Sequence, residues 1–83
     1  MVDYFISIKC NDNIIHGFYS KCNPYKINEI INITETSTIN KEFTKIEKSY
    51  IIKKINHEII FHNEHNKFYN TVFKINIYVK QIL

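Results

Sequence analysis

The chain has 83 residues, 45% of them hydrophobic, and a net charge of +3 from 11 lysines against 8 acids. That length suits one domain, 1–83, with a modest core, and the apolar content excludes a disordered tail. No apolar run approaches the roughly 20 residues of a membrane-spanning helix, and a single glycine excludes a phosphate-cradling loop, in which the backbone must approach the ligand closely.

From the N-terminus, Asp3 to Cys10 alternates. Tyr4, Ile6, Ile8 and Cys10 fall on one face, Phe5, Ser7 and Lys9 on the other, which is strand spacing. Asn11-Asp12-Asn13 reads as a turn, because Asn and Asp tolerate positive φ. Ile14 to Ser20 returns as a second strand, with Gly17 as a candidate bulge. Asn23-Pro24 then resembles a helix start, with Asn as cap and Pro at the first position. Ile27, Ile30, Ile31 and Thr34 follow at helical spacing, so a short helix over 24–33 is expected, with a strand over 31–39 as the competing reading. Phe43, Ile46 and Tyr50 suit a helical face that gives way to strand by Tyr50. Asn56-His57 and Asn63-Glu64-His65-Asn66 are further turn candidates. Thr71 to Ile82 alternates most cleanly, with Phe73, Ile75, Ile77 and Val79 against Lys74, Asn76, Tyr78 and Lys80.

The expected fold class is α+β: a small, mostly antiparallel sheet with an N-terminal hairpin and one short helix, in an order compatible with a β-grasp arrangement. Composition bears on this. Isoleucine occurs 18 times and asparagine 11, while alanine, arginine and tryptophan are absent. These are products of A/T-rich codons, so the bias reads as genomic, of a kind found in some viruses and organelles. Absent alanine weakens helices and abundant isoleucine favours strands.

Residues 57–70, HEIIFHNEHNKFYN, hold His57, His62 and His65. A zinc site needs about four converging N or S ligands. His57 and His62 lie five apart, on opposite faces of a strand, and no CxxC or HxxxH element supports them, so no metal and no cofactor are expected. Cys10 and Cys22 sit too far apart on a hairpin to bridge. Free thiols and the absence of a leader in MVDYFISIKC fit an intracellular protein. No nucleophile–base constellation is legible, so no catalytic residue is assigned and no enzyme is expected.

Two binding readings remain. Residues 41–83 carry eight lysines against four acids, a charge of +4. Lys67, Lys74, Tyr78 and Lys80 would form a basic face with an aromatic for stacking, suited to weak nucleic-acid binding. The leading expectation is a protein-binding module, an accessory subunit or an inhibitor of a host factor, whose partner is another protein or a second copy of itself. Twelve Tyr and Phe residues exceed what so small a core accepts, and aromatics favour contact surfaces. Phe5, Tyr19, Phe68 and Tyr69 are the expected partner-binding residues, with no role at a membrane.

Overall fold

The computed structural model describes residues 3–65 and 67–82, with side chains described at all of these except 67–70. It contains five strands: β1 (Tyr4–Cys10), β2 (Asn13–Ser20), β3 (Ile30–Ile39), β4 (Glu42–Glu64) and β5 (Lys67–Ile82). They form one mixed sheet in the order β2-β1-β5-β4-β3, with β1 and β5 parallel and the other neighbours antiparallel. Among the described residues there is no helix. The α+β expectation, its β-grasp variant included, is therefore wrong, and the protein is all-β.

The helix expected over 24–33 is replaced by a loop and the start of β3. Asn23 does use its side chain as a local acceptor, taking the Tyr25 N–H at 3.0 Å. This is an Asx-type turn rather than a helix cap. Asn28 then adopts φ 71°, a left-handed conformation that no α-helix continues through. Its N–H donates to the Ile52 carbonyl at 2.8 Å, and Ile52 N–H donates to the Glu29 carbonyl at 2.9 Å. The backbone is thus laddered onto β4 before β3 formally begins. With no alanine, and with isoleucine or threonine at seven of the ten positions of Ile30–Ile39, the chain gains more there from a sheet than from a helix.

Residues 42–50, read as partly helical, are also strand. The turn before them is Asn40-Lys41, both at positive φ (52° and 68°), with Ile39 facing Glu42. That is the two-residue hairpin geometry whose twist matches the flanking strands. Asn11-Asp12 repeats it (51° and 66°) with Cys10 facing Asn13, so the first hairpin lies where the sequence places it. No turn interrupts β4 at Asn56-His57. Gly17 is not at a bulge; the register shift lies between Ile8 and Lys9. Instead Gly17 makes room for a ring, since a Cβ there would sit 2.8 Å from Phe5 Cζ.

β4 serves two hairpins in succession. Residues 42–51 pair with β3 and residues 49–64 pair with β5, overlapping only at Ser49–Ile51. β1 reaches β5 only along 73–79. A body of β2, β1, β5 and the middle of β4 therefore carries two ribbons at opposite ends. The ribbons account for a radius of gyration of 16.0 Å, against about 12 Å for a compact domain of this length.

One face of the body holds the core. Ile6, Ile8, Ile52, Ile75, Ile77, Val79 and Tyr50 are buried there, with Tyr4, Phe18, Tyr25, Ile31 and Ile33 packed against them. Phe18 belongs to one edge strand and Ile31 and Ile33 to the other. Both edges can meet one core only if the sheet curls, so this is an open half-barrel with its core on the concave side. β2 and β3 do not pair, which leaves the barrel unclosed.

Candidate partner-binding surface

Three surfaces emerge from this architecture. The first is the distal β4–β5 ribbon. Beyond Tyr4, which faces Phe73, β5 loses its β1 neighbour and only two strands remain. Alternation continues there beyond the reach of β1. Ile59 is 62% exposed, and Ile60, Phe61 and Val72 are exposed as well. Ile60 faces Val72 across the ladder, while Ile59 faces Phe73 on the opposite side, so both faces are apolar. A register shift between Ile60 and His62 places Phe61 at an irregularity in the ladder.

The second is the convex face of the body. Cross-strand partners form rows here, because directly opposite residues point the same way. One row is Tyr19, Phe5, Lys74 and Glu58; the next is Gly17, Ser7, Asn76 and Asn56. The row beyond places Lys9 and Lys54 on either side of Tyr78, with their ammonium groups 5.7 and 5.6 Å from its ring centroid. The middle row is short-chained and lies under its neighbours, so Ser7 and Asn76 are buried. Asn76 Nδ2 donates to Glu58 Oε1 at 3.1 Å. Asn76 Oδ1 and Ser7 Oγ have no partner.

The third is a hollow of about 630 Å³ on the concave side, between the unpaired edges. Its walls are Ile8, Ile15, His16, Phe18 and Tyr25 on one side and residues 31–36 on the other. Tyr25 lines the hollow from the β2–β3 loop, with its ring 6.4 Å from that of Phe18, edge to face. Burial, and secondarily the carboxylate of Glu29, raises the Tyr25 phenol above its usual pKa of 10.0.

The expected partner-binding residues fall in two places. Phe5 and Tyr19 are adjacent, with ring centroids 5.1 Å apart. Tyr19 is 73% exposed, but Phe5 is half-buried over Gly17. Phe68 and Tyr69 lie on the ribbon, facing Asn63 and His62 in the ladder, and their side chains fall outside the described residues. Along β5, Tyr69 is five residues from the partner of Phe5, about 17 Å. The four therefore do not make one patch.

Of the expected basic face, Lys74, Tyr78 and Lys80 share one side of β5, while the Lys67 side chain lies outside the described residues. Asn76, which alternation puts on the same face as these lysines, is buried. Lys9 and Lys54 flank the Tyr78 ring, and of the two Lys9 lies outside the expected basic surface, which extends from β5 to Lys53 and Lys54. The signal that finds Lys9 is the β1–β5 register, which no local pattern contains. His57 and His62 stay separate, and the nearest carboxylate to His62 is Glu64, with Nε2 3.9 Å from Oε2. Among the described residues no group of three or more His, Cys, Asp or Glu side chains is placed to hold a metal ion. Cys10 and Cys22 are free thiols.

No protein-family model, no curated protein and no solved structure matches the chain.

Proposed function

We propose that this chain is a non-enzymatic protein-binding module whose main contact is the distal β4–β5 ribbon. The observation that carries the reading is that ribbon's apolar exposure on both faces. A two-stranded ribbon is marginal in water on its own, and a sheet normally buries an apolar face against a second layer. Here Ile59, Ile60 and Val72 are exposed beyond the end of β1, where the sheet has narrowed to two strands. A partner that covers them supplies the missing layer and removes apolar surface from water at about 25 cal/mol per Å². Exposed apolar area of this kind, rimmed by His57, Glu58 and Glu64, fits a contact site better than a catalytic one.

The test is affinity capture from native extract with three forms of the chain. The doubly substituted Ile59→Lys/Val72→Lys ribbon is expected to lose the captured polypeptide at least tenfold, with its melting curve close to wild type. Ile39→Lys, on the other ribbon, is expected to retain it. Equal capture by all three forms rules this reading out.

A second reading is favoured by the row Lys9–Tyr78–Lys54. Ammonium groups flanking an aromatic ring suit a single-stranded nucleic acid, with phosphates on the lysines and a base on the ring. Two phosphate contacts give a salt slope near −1.4 for single strands, roughly a 25-fold loss of affinity for a tenfold rise in salt. Anisotropy titration with a single-stranded oligonucleotide measures it. No binding at low salt eliminates the second reading and leaves the first untouched.

A further inference from the structure

The hollow contains an unusual run. Six consecutive residues of β3, Ile31 to Thr36, line it. Successive side chains of a strand point to opposite faces. A cavity that lay against one face would therefore meet Ile31, Ile33 and Glu35 and miss Asn32, Thr34 and Thr36. One that meets all six runs along the edge of the strand, where the outward N–H and C=O groups of β3 have no ladder partner among the described residues. The far wall is the other free edge, at Ile15, His16 and Phe18 of β2. A second, smaller hollow continues along the same seam, lined by Ile15, Ile33, Glu35, Ile46, Lys48 and Tyr50.

Free edges are usually blunted with lysine, proline or a covering segment. β3 has one charged residue, Glu35, and neither lysine nor proline. β2 has no Lys, Asp, Glu or Pro at all. The first hollow falls inside the ~300–1,000 Å³ range of binding clefts, too large to be a packing defect. Six strand residues span about 20 Å. The room, the unpaired backbone and the apolar walls all match one kind of occupant.

We propose that the β3 edge receives an extended peptide segment of a partner protein, added as a sixth strand in the gap between β3 and β2. Its alternate side chains are aliphatic and enter the hollow over Ile8, Phe18 and Ile33. One basic residue of the segment meets Glu35, which borders both hollows. Backbone hydrogen bonds to β3 give affinity, and the hollow selects alternate side chains. The proposal rests on the protein-binding reading but assigns a different surface from the ribbon, so the two fail separately.

Two synthetic heptapeptides test it: Val-Thr-Val-Lys-Val-Thr-Val, and the same sequence with glutamate at the centre. Each is titrated into the full chain while amide exchange is followed by NMR. The lysine peptide is expected to bind at submillimolar concentration and to slow exchange at least tenfold within Ile31–Thr36. The glutamate peptide is expected to bind at least fivefold more weakly, and Glu35→Lys, a change at an exposed position, to reverse that order. Protection confined to Ile59–Val72 overturns the edge site and leaves the ribbon reading standing. Absence of binding by both peptides at millimolar concentration overturns the edge site as well. Equal affinity for the two peptides overturns the basic partner. A dimer that protects Ile31–Thr36 without any peptide shows the occupant to be a second copy, and overturns the choice of a foreign segment.

Discussion

Ile75 and Ile77 are about as buried as a side chain can be, while Ile59 and Ile60, on the strand paired with theirs, face water. Residue type and ladder are the same for both pairs. What differs is the third strand. β1 covers β5 along 73–79 and stops there, and the concave curl closes over that stretch alone. An isoleucine in this chain is therefore a core residue or a contact residue according to its distance from β1, not its local pattern. The sheet is one continuous object with a folded centre and an end that requires cover.

The strongest way to break this comparison is to truncate one isoleucine from each region. Ile77→Ala removes buried methyl groups and leaves a cavity, at a cost of about 3 kcal/mol. For a domain this small that lowers the melting temperature by more than roughly 10 °C. Ile59→Ala is expected to cost less than about 0.5 kcal/mol. Similar losses at the two sites, measured by thermal denaturation, would mean that the ribbon is packed in solution and needs no partner.

Much of the centre is legible in the sequence and little of the periphery is. Phe73, Ile75, Ile77 and Val79 announce β5 because one buried face and one wet face impose a period of two. Asn11-Asp12 announces the first turn because both residues tolerate positive φ. The second hairpin is hidden because its turn includes Lys41, a residue with no such preference. The helix reading failed because Ile27, Ile30 and Ile31 satisfy helical spacing while Ile31 and Ile33 satisfy strand spacing, and Asn23 forms its turn in either case. Of the candidate surfaces, Tyr78 with Lys74 and Lys80 is visible along one strand. Lys9 and Lys54 join them only through pairings between distant segments, and the hollow lies between strands that are neighbours in neither the sheet nor the ladder.

The convex side of the folded centre offers a finer contrast. Gly17 and Phe5 form a glycine–aromatic pair across β1 and β2, in which the ring covers backbone that no side chain protects. Gly17→Ala would bring a methyl group to 2.8 Å from the ring tip. Alanine is otherwise favoured over glycine in a strand, by about 0.5–1 kcal/mol. The clash is expected to outweigh that gain and destabilise by about 1 kcal/mol. In a Phe5→Ala background the same substitution becomes neutral or stabilising. A double-mutant cycle by denaturant unfolding gives the coupling, and zero coupling would show that the ring lies elsewhere.

Next to that pair, Ser7 carries a buried hydroxyl with no hydrogen-bond partner. An unsatisfied buried polar group costs about 1–3 kcal/mol, whereas removing it leaves only a small void. Ser7→Ala is therefore expected to leave stability unchanged or raise it by up to about 1 kcal/mol. A loss of more than that would reveal a partner for Ser7 Oγ, most simply the unpaired Asn76 Oδ1 directly across the β1–β5 ladder.

The smallest effect comes from the loop that spans the open side. Tyr25 holds its proton more tightly in the folded chain than in the unfolded one, through burial first and the Glu29 carboxylate second. A folded pKa above the unfolded value of 10.0 contributes stability that is fully present below pH 10 and is lost as pH rises through the folded pKa. Ultraviolet titration should therefore show one tyrosine ionising late, and Glu29→Gln should bring its pKa part of the way back toward 10. Burial should keep the remainder of the shift, because it is the larger cause. If Glu29→Gln restores the ordinary value completely, Tyr25 is not seated against Phe18, the loop does not line the hollow, and the folded centre is more open than its core residues indicate.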